Sequence, residues 1–349
     1  MKQRLIEILE QSGKCPRIER FADGGEAIVL PYGGRVLGLF APGSDENFFW
    51  THPALESPAS AAEFFASNDW QNTGGDRTWL APEVDFFFPN YPRLDVYHQP
   101  RALDPGDWRV AADGTTRQLR NQFRHALSRS GIEVELRLGK AISPAANPLR
   151  DDPLWKDLAV SGVQYAGYAL TTTLEIESAV AAKVGLWNLL QMPEGGELLV
   201  PCYRRDEPRA FFGQVPPADL NVGDRLVRYQ MRASGEQKLG FRATAVTGRA
   251  GYCYPAGDGR WALVVRNAAV HPSGDYVDVP WNDPNDRGYA IQACHVNSHL
   301  GRFSELEHHA PATTGTASVD YVETWAYRGP AAAIQEVSAA LLGGAPDES

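Results

Sequence analysis

The clearest pattern in the chain is an alternation with a period of two. In Ile132-Glu133-Val134-Glu135-Leu136-Arg137-Leu138 the aliphatic side chains fall on one face and the charged ones on the other, as in a half-buried strand. Strand-like runs recur at 171–178, 225–232, 261–266 and 321–327. Asp113-Gly114 and Asp258-Gly259 stand between such runs, and these dipeptides supply the positive φ angles that tight hairpins demand. Helical spacing shows only near the ends, with Leu5, Ile6 and Leu9 in 2–11 and Ile334, Val337 and Leu341 in 331–342. Two short terminal helices are predicted. No helical segments alternate with the strands, which argues against a doubly wound α/β sheet and for an all-β, antiparallel sandwich.

Length alone suggests two domains at 349 residues, but all-β folds often exceed that prior as one unit. The 33 Gly and 25 Pro are spread throughout, so no low-complexity linker marks a boundary. The segment 143–153 reads as a long loop. The expectation is a single domain over 1–349, with a helical segment at 1–20 and a helix and tail at 331–349.

A composition of 43% hydrophobic and 22% charged residues is that of a globular protein with a sizeable core. A formal net charge of −10 argues against nucleic acid and anionic membranes as partners, because both require a basic surface. Neutral or cationic ligands fit better. Cys15, Cys202, Cys253 and Cys294 are far apart and form no C-x-x-C pair, so neither a zinc knuckle nor a dithiol site is indicated. There is no leader-like start and no apolar run of about 18 residues, so no membrane span is expected. The default compartment is the cytoplasm, with the periplasm open to a chain whose export leader has been removed.

The densest chemistry lies in Ser304-Glu305-Leu306-Glu307-His308-His309-Ala310-Pro311, two carboxylates and two imidazoles in six residues. On a strand Glu305, Glu307 and His309 share one face and Leu306 and His308 the other. Crowded titratable groups push one another's pKa values apart, which lets an acid and a base work in one pocket. A solvated charged edge strand is the plain alternative. A second group is Gly74-Gly75-Asp76-Arg77-Thr78-Trp79-Leu80-Ala81-Pro82-Glu83, where paired glycines allow close backbone approach, Arg77 offers a fork of donors and Trp79 an apolar plate. Sugars need both kinds of surface. A third is Asp95-Val96-Tyr97-His98-Gln99-Pro100-Arg101, whose His98 can exchange a proton near neutral pH. A fourth, Leu186-Trp187-Asn188-Leu189-Leu190-Gln191, joins an aromatic ring to two amides just after a strand; filling the core is the plain alternative for its ring. His295 and His299, four residues apart, would be about 13 Å apart on a strand, too far to share a metal. There is no P-loop, no G-x-G-x-x-G and no G-x-S-x-G elbow.

The order of these pieces resembles the galactose mutarotase-like superfamily, which includes aldose 1-epimerases and hexose-6-phosphate epimerases, and in particular its uncharacterised bacterial branches. The resemblance is spread over roughly residues 32–327. Gly33-Gly34-Arg35-Val36-Leu37-Gly38-Leu39 and Asn47-Phe48-Phe49-Trp50 are similar to the opening strands, and Gly74-Gly75 with Pro82 to the Gly-Gly-to-Pro segment, where an Arg contacts the sugar. Thr73 stands where the phosphosugar epimerases hold that Arg, so Arg77 is a displaced counterpart. The stretch from His98 through Arg101 to Trp108 loosely resembles the family's His-containing segment. Trp187 falls where the family keeps a second His, the acid toward the ring oxygen. Leu306-Glu307-His308-His309 with Pro311 is similar to the segment that carries the catalytic Glu, the match falling on Glu307.

The resemblance implies a β-supersandwich of large antiparallel sheets, with short terminal helices, that holds a sugar in a concave face. It implies an aldose 1-epimerase-like isomerase in which Glu307 is the general base, with His98 as the candidate acid. Arg77, Trp79, Trp187, Asn188, Gln191, Glu305 and His309 are the candidate substrate contacts. No cofactor and no metal are expected; the partner is a small sugar or glycoside. The alternatives are a non-catalytic carbohydrate-binding protein of the same fold, favoured by Trp187 in place of a His, and a lyase or hydrolase acting on modified glycosides through carboxylates such as Glu83 and Glu307.

Overall fold

The structure, a computed structural model, describes residues 1–111, 118–178, 182–313 and 317–346. Among them, two antiparallel sheets are stacked face to face. The first has nine strands, in the order Arg17–Arg20, Glu26–Leu30, Arg35–Phe40, Asp76–Ala81, Gly185–Pro193, Gly301–His309, Tyr289–Ser298, Gly235–Arg242 and Arg209–Phe212. The second has ten, and the long strands Gln164–Ser178 and Ala317–Pro330 pair at its centre. The stacked antiparallel sheets are those the alternation predicts. The Asp113-Gly114 hairpin lies outside the described residues; at the other, Asp258 has φ +52°, between Arg249–Gly257 and Arg260–Ala268.

The inner faces meet in a hydrophobic core. Leu190, Met192, Leu306, Ala293 and Leu239 of the nine-stranded sheet pack with Tyr168, Leu170, Val264 and Ala326 of the other. The terminal helices form where expected, at Lys2–Gln11 and Ala331–Leu342. The second ends at Gly343, whose φ of +75° is a left-handed cap. It buries Ile334, Val337 and Leu341 against Leu263, Val265 and Trp325, each such side chain contributing about 1.5–3 kcal/mol.

Two helices depart from the expectation. Pro58–Ala66 follows Ser57, whose side chain accepts a hydrogen bond from Ser60 N, and Pro153–Val160 follows Asp152, which accepts from Leu154 N. Both starts place a capping residue before a proline, a helix signal that outweighs the loop-like composition. The expected loop at 143–153 is accordingly shorter, because its first two residues finish the strand Glu133–Pro144 and Pro153 opens the helix. Trp187 to Gln191 do not follow a strand but lie within Gly185–Pro193. That strand is buried on both faces, so it lacks the alternation that would identify it. Among the described residues no helix is long and apolar enough to cross a membrane.

Candidate functional site

The site is built on the face of the nine-stranded sheet that points away from the inner core. Cross-strand partners share a face, and the register aligns Trp79 with Trp187 and His309, Arg77 with Leu189 and Glu307, and Glu305 with both Gln191 and Cys294. Lys238 is opposite Cys294 and therefore joins them. Ten positions on five strands thus converge by alternation alone.

Gly74 and Gly75 set the start of the Asp76–Ala81 strand. Their φ values are +101° and +73°, and a Cβ at either would come within 2.3 Å of a carbonyl oxygen, of Trp50 and Val36 respectively. Only glycine fits both the left-handed backbone and the close crossing. One residue into that strand Arg77 already faces the cavity, and the short helix Glu83–Phe86 brings Glu83 round to its wall.

The cavity has a volume of about 360 Å³. Trp70, Tyr97, Phe212, Trp281 and Phe303 form much of its wall, and the charged lining is Arg77, Glu83, Glu236, Lys238, Glu305 and Glu307. Arg77 Nη2 donates to Glu305 Oε1 at 2.8 Å, and the guanidinium lies 4.1 Å from the Trp79 ring centroid. Its Nε and Nη1 are buried without a hydrogen-bond partner among the described residues. Gln191 Nε2 donates to the same Glu305 oxygen at 2.8 Å. Lys238 Nζ stands 3.2 Å from Glu307 Oε2, 3.4 Å from Glu83 Oε2 and 3.9 Å from Asp278 Oδ2. Glu83 also accepts from Tyr97 Oη at 2.7 Å and from Trp281 Nε1 at 2.9 Å. Four carboxylates therefore surround two cations.

That surplus shapes the titration. Burial, opposed by Lys238 and reinforced by Glu305 and Glu83, lifts the Glu307 carboxyl well above the usual carboxylate range. Burial alone would strip the proton from Lys238, but Glu307, Glu83 and Asp278 outweigh it and hold the ammonium above its ordinary value. Burial, helped by Lys238, keeps His309 neutral. A carboxyl poised upward in this way is suited to proton transfer at neutral pH. Cys294 Sγ, Glu305 and Glu307 bring one ligand-type atom each within 4.8 Å of one another. Lys238 and Arg77 already provide positive charge there, and we assign the group no metal. Burial and then Glu305 and Glu307 keep the Cys294 thiol protonated.

Of the residues expected from sequence, Arg77, Trp79, Trp187, Glu305 and Glu307 line this cavity. Gln191 stands behind Glu305, fully buried, as its hydrogen-bond donor. His309 is stacked on Trp187 with ring centroids 5.3 Å apart, and it holds that indole from behind. Trp187 is only 1% exposed and donates its Nε1–H to Glu307 Oε2 at 2.9 Å, so it anchors the carboxylate rather than presenting an open plate. Two expectations are corrected. Asn188, one residue from Trp187, necessarily points to the opposite face, where its amide donates to Asp320 at 2.7 Å and its oxygen accepts from Thr78 at 2.6 Å. His98 is exposed and belongs to a separate small hollow with Asn68, Arg101 and Asp104. Its backbone N donates to Phe87 O, in a segment where its two neighbours, Tyr97 and Gln99, line the cavity.

Sequence reasoning missed Lys238, Tyr97, Trp70 and Trp281, and it missed Asp104 behind them. Asp104 Oδ2 accepts from Trp70 Nε1 and Trp79 Nε1, both at 3.0 Å, and from Arg35 Nη2 at 2.9 Å. One buried carboxylate thus fixes two indoles of the wall. For Lys238 the available signal was Glu236-Gln237-Lys238-Leu239, whose alternation sets Glu236 and Lys238 on one face. A larger hollow of about 1000 Å³ lies on the ten-stranded sheet among Arg109, Arg120, Arg124 and Arg137. Arg109, Arg124 and Arg137 are paired with Asp107, Glu135, Glu175 and Glu177, Arg120 donates to Gln118, and none of the expected site residues is there.

Solved structures similar to this chain include a protein from Escherichia coli K12 described provisionally as an aldose 1-epimerase, with 12% identity and a TM-score of 0.49 over 89% of this chain and 99% of that one. A galactose mutarotase related enzyme from Lactobacillus acidophilus has 8% identity and a TM-score of 0.47 over 89% and 97% of the two chains. Galactose 1-epimerase from Lactobacillus acidophilus NCFM has 10% identity and a TM-score of 0.38 over 91% and 95%. Comparison with curated proteins gives no match. The strands that build the cavity, from Asp76–Ala81 to Gly301–His309, all lie within residues 18–346, and over that span the chain matches and belongs to DUF6786, a family of unknown function.

Proposed function

We propose that this protein binds a sugar in the aromatic-walled cavity and interconverts its anomers, with Glu307 as the general base that removes the anomeric hydroxyl proton. The observation that carries the reading is the convergence of Glu307, Glu305 and Arg77 on one hollow walled by Trp70, Tyr97 and Trp281. Aromatic walls stack on the C–H faces of a pyranose, and charged groups at the floor take its hydroxyls. The orphan Nε and Nη1 of Arg77 are donors in want of such an oxygen. The raised carboxyl of Glu307 suits a base that must take up and return a proton in each cycle.

A second reading, a sugar-binding protein without turnover, is favoured by the position of the histidines. His98 is outside the cavity and His309 is behind Trp187, so neither offers an acid to the ring oxygen. A glycoside hydrolase has less support. Glu83 and Glu307 are both tied to the one ammonium of Lys238, which stands between them where such an enzyme holds the scissile bond.

Exchange NMR on a panel of unmodified aldoses, with wild-type protein and the Glu307→Gln variant, separates the readings. Anomerisation requires faster α–β exchange with wild type than with buffer, and loss of that gain in the variant. Binding without accelerated exchange would leave the second reading standing, and equal acceleration by both proteins would remove Glu307 as the base.

A further inference from the structure

We propose that Lys238 is the acid of this site, giving its proton to the ring oxygen while Glu307 takes the proton of the anomeric hydroxyl. The inference rests on the anomerisation reading above. It starts from a juxtaposition: the Lys238 ammonium is 3.2 Å from Glu307 and 4.2 Å over the ring of Trp187, the indole that anchors that same carboxylate. Base and ammonium therefore sit side by side at the cavity floor.

The other proton donors are placed less well. His299 lines the rim but is exposed on the turn before Gly301, about 20 Å along the strand from Glu307. The phenol of Tyr97 directs its hydrogen to Glu83, and burial followed by Glu83 raises its pKa well above the ordinary value. Arg77 is a guanidinium and does not release a proton. Cys294 is a protonated thiol, held so by burial and by Glu305 and Glu307.

The groups facing Lys238 explain how a firmly held proton becomes available. Glu83 approaches from the short helix, Glu307 from the Gly301–His309 strand, across the intervening Tyr289–Ser298 strand, and Asp278 from the segment before that strand, with Cys294 and Glu305 alongside and the neutral His309 behind Trp187. While Glu307 is ionised, these carboxylates keep the proton on Nζ. Once Glu307 accepts the anomeric O–H proton, one of the negative charges is gone, and the ammonium becomes a stronger acid just as the ring oxygen needs a proton. In ring opening the O–H electron pair at C1 forms the carbonyl, the bond from C1 to the ring oxygen breaks with its pair on that oxygen, and the oxygen takes a proton from Nζ. A neutral carboxyl and a neutral amine remain. Closure on the other face returns the hydroxyl proton to Nζ and the carboxyl proton to the carbonyl oxygen, so the site is restored without any co-reactant.

The test uses Lys238→Arg, which keeps the positive charge but cannot release a proton, and Lys238→Ala, which opens room for an added amine. Sugar affinity is measured by calorimetry and anomer exchange by NMR. The expected result is affinity within about 3-fold of wild type for Lys238→Arg, with exchange reduced about 100-fold or more. Exchange by Lys238→Ala should rise with added methylamine and stay low with tetramethylammonium, which has charge but no proton. Exchange by Lys238→Arg within about 3-fold of wild type, or equal rescue by tetramethylammonium, would overturn the role of Lys238 and leave Glu307 untouched. Wild-type protein that neither binds nor exchanges any sugar would overturn this inference together with the reading on which it rests.

Discussion

Replacing Asp104 with alanine removes the acceptor that ties the cavity wall to the sheet. Asp104 is 3% exposed, and its Oδ2 receives the guanidinium of Arg35 and the indole N–H groups of Trp70 and Trp79. Arg35 is itself 1% exposed, and apart from Asp104 it is left with Gly74 O at 3.0 Å and Asn72 Oδ1 at 3.5 Å. Loss of one partner of a buried ion pair costs about 3–5 kcal/mol, because the remaining charge stays buried and uncompensated. The two stranded indole donors add to the cost, though not additively. We therefore expect Asp104→Ala to lower the unfolding free energy by at least about 3 kcal/mol, read from the urea midpoint at unchanged slope. Adding Arg35→Met to this variant should recover part of the loss, since it removes the orphan charge. Near-UV circular dichroism should weaken as Trp70 and Trp79 lose their common anchor. A loss below about 1 kcal/mol, or a double variant less stable than Asp104→Ala alone, would refute the reasoning.

Further outcomes follow from the same geometry. The Glu307 carboxyl titrates near 4.5 when unfolded and is pushed up to about 8 in the fold by burial, so the native state holds its proton more tightly. The stability that Glu307 contributes should consequently fall as pH rises between those values, so Glu307→Gln should gain on wild type across that window; urea titrations of both proteins at pH 5 and pH 8 that show a constant difference would contradict it. Gly75→Ala should cost more than the roughly 1–2 kcal/mol of left-handed strain, because its Cβ would meet Val36 O at 2.3 Å; an unchanged thermal midpoint would contradict the close crossing. His98→Ala should leave sugar affinity within about 2-fold, consistent with a solvent-exposed side chain near a separate hollow. Asn188→Leu should lower stability by about 1–3 kcal/mol, leaving Asp320 without its amide donor, and calorimetry should find sugar affinity little changed.

What the sequence made legible follows from geometry that the backbone enforces. A strand has a period of two regardless of context, so the shared face of Glu305, Glu307 and His309 could be read directly, and it is the face that carries the site. The same rule separates Asn188 from Trp187, once 185–193 is seen as a strand; its burial on both faces hid that. Loops have no such period. In 95–101 the aromatic at Tyr97, rather than the imidazole next to it, reaches the cavity, and nothing local distinguishes the two. Lys238 and Glu83 lie 155 residues apart in the chain, and only sheet order brings the ammonium to the carboxylate. Asp104 was invisible for a related reason: its importance lies in the two indoles and the guanidinium that reach it from other segments.

The proposed function requires a sugar to occupy the hollow above Glu307 and Arg77. Calorimetric titration of wild-type protein and of Arg77→Met against a panel of neutral mono- and disaccharides tests it most directly. At least one sugar should bind the wild type, with affinity reduced at least about 10-fold when the guanidinium and its unpartnered donors are removed. No binding across the panel, or equal affinity for both proteins, would contradict the account.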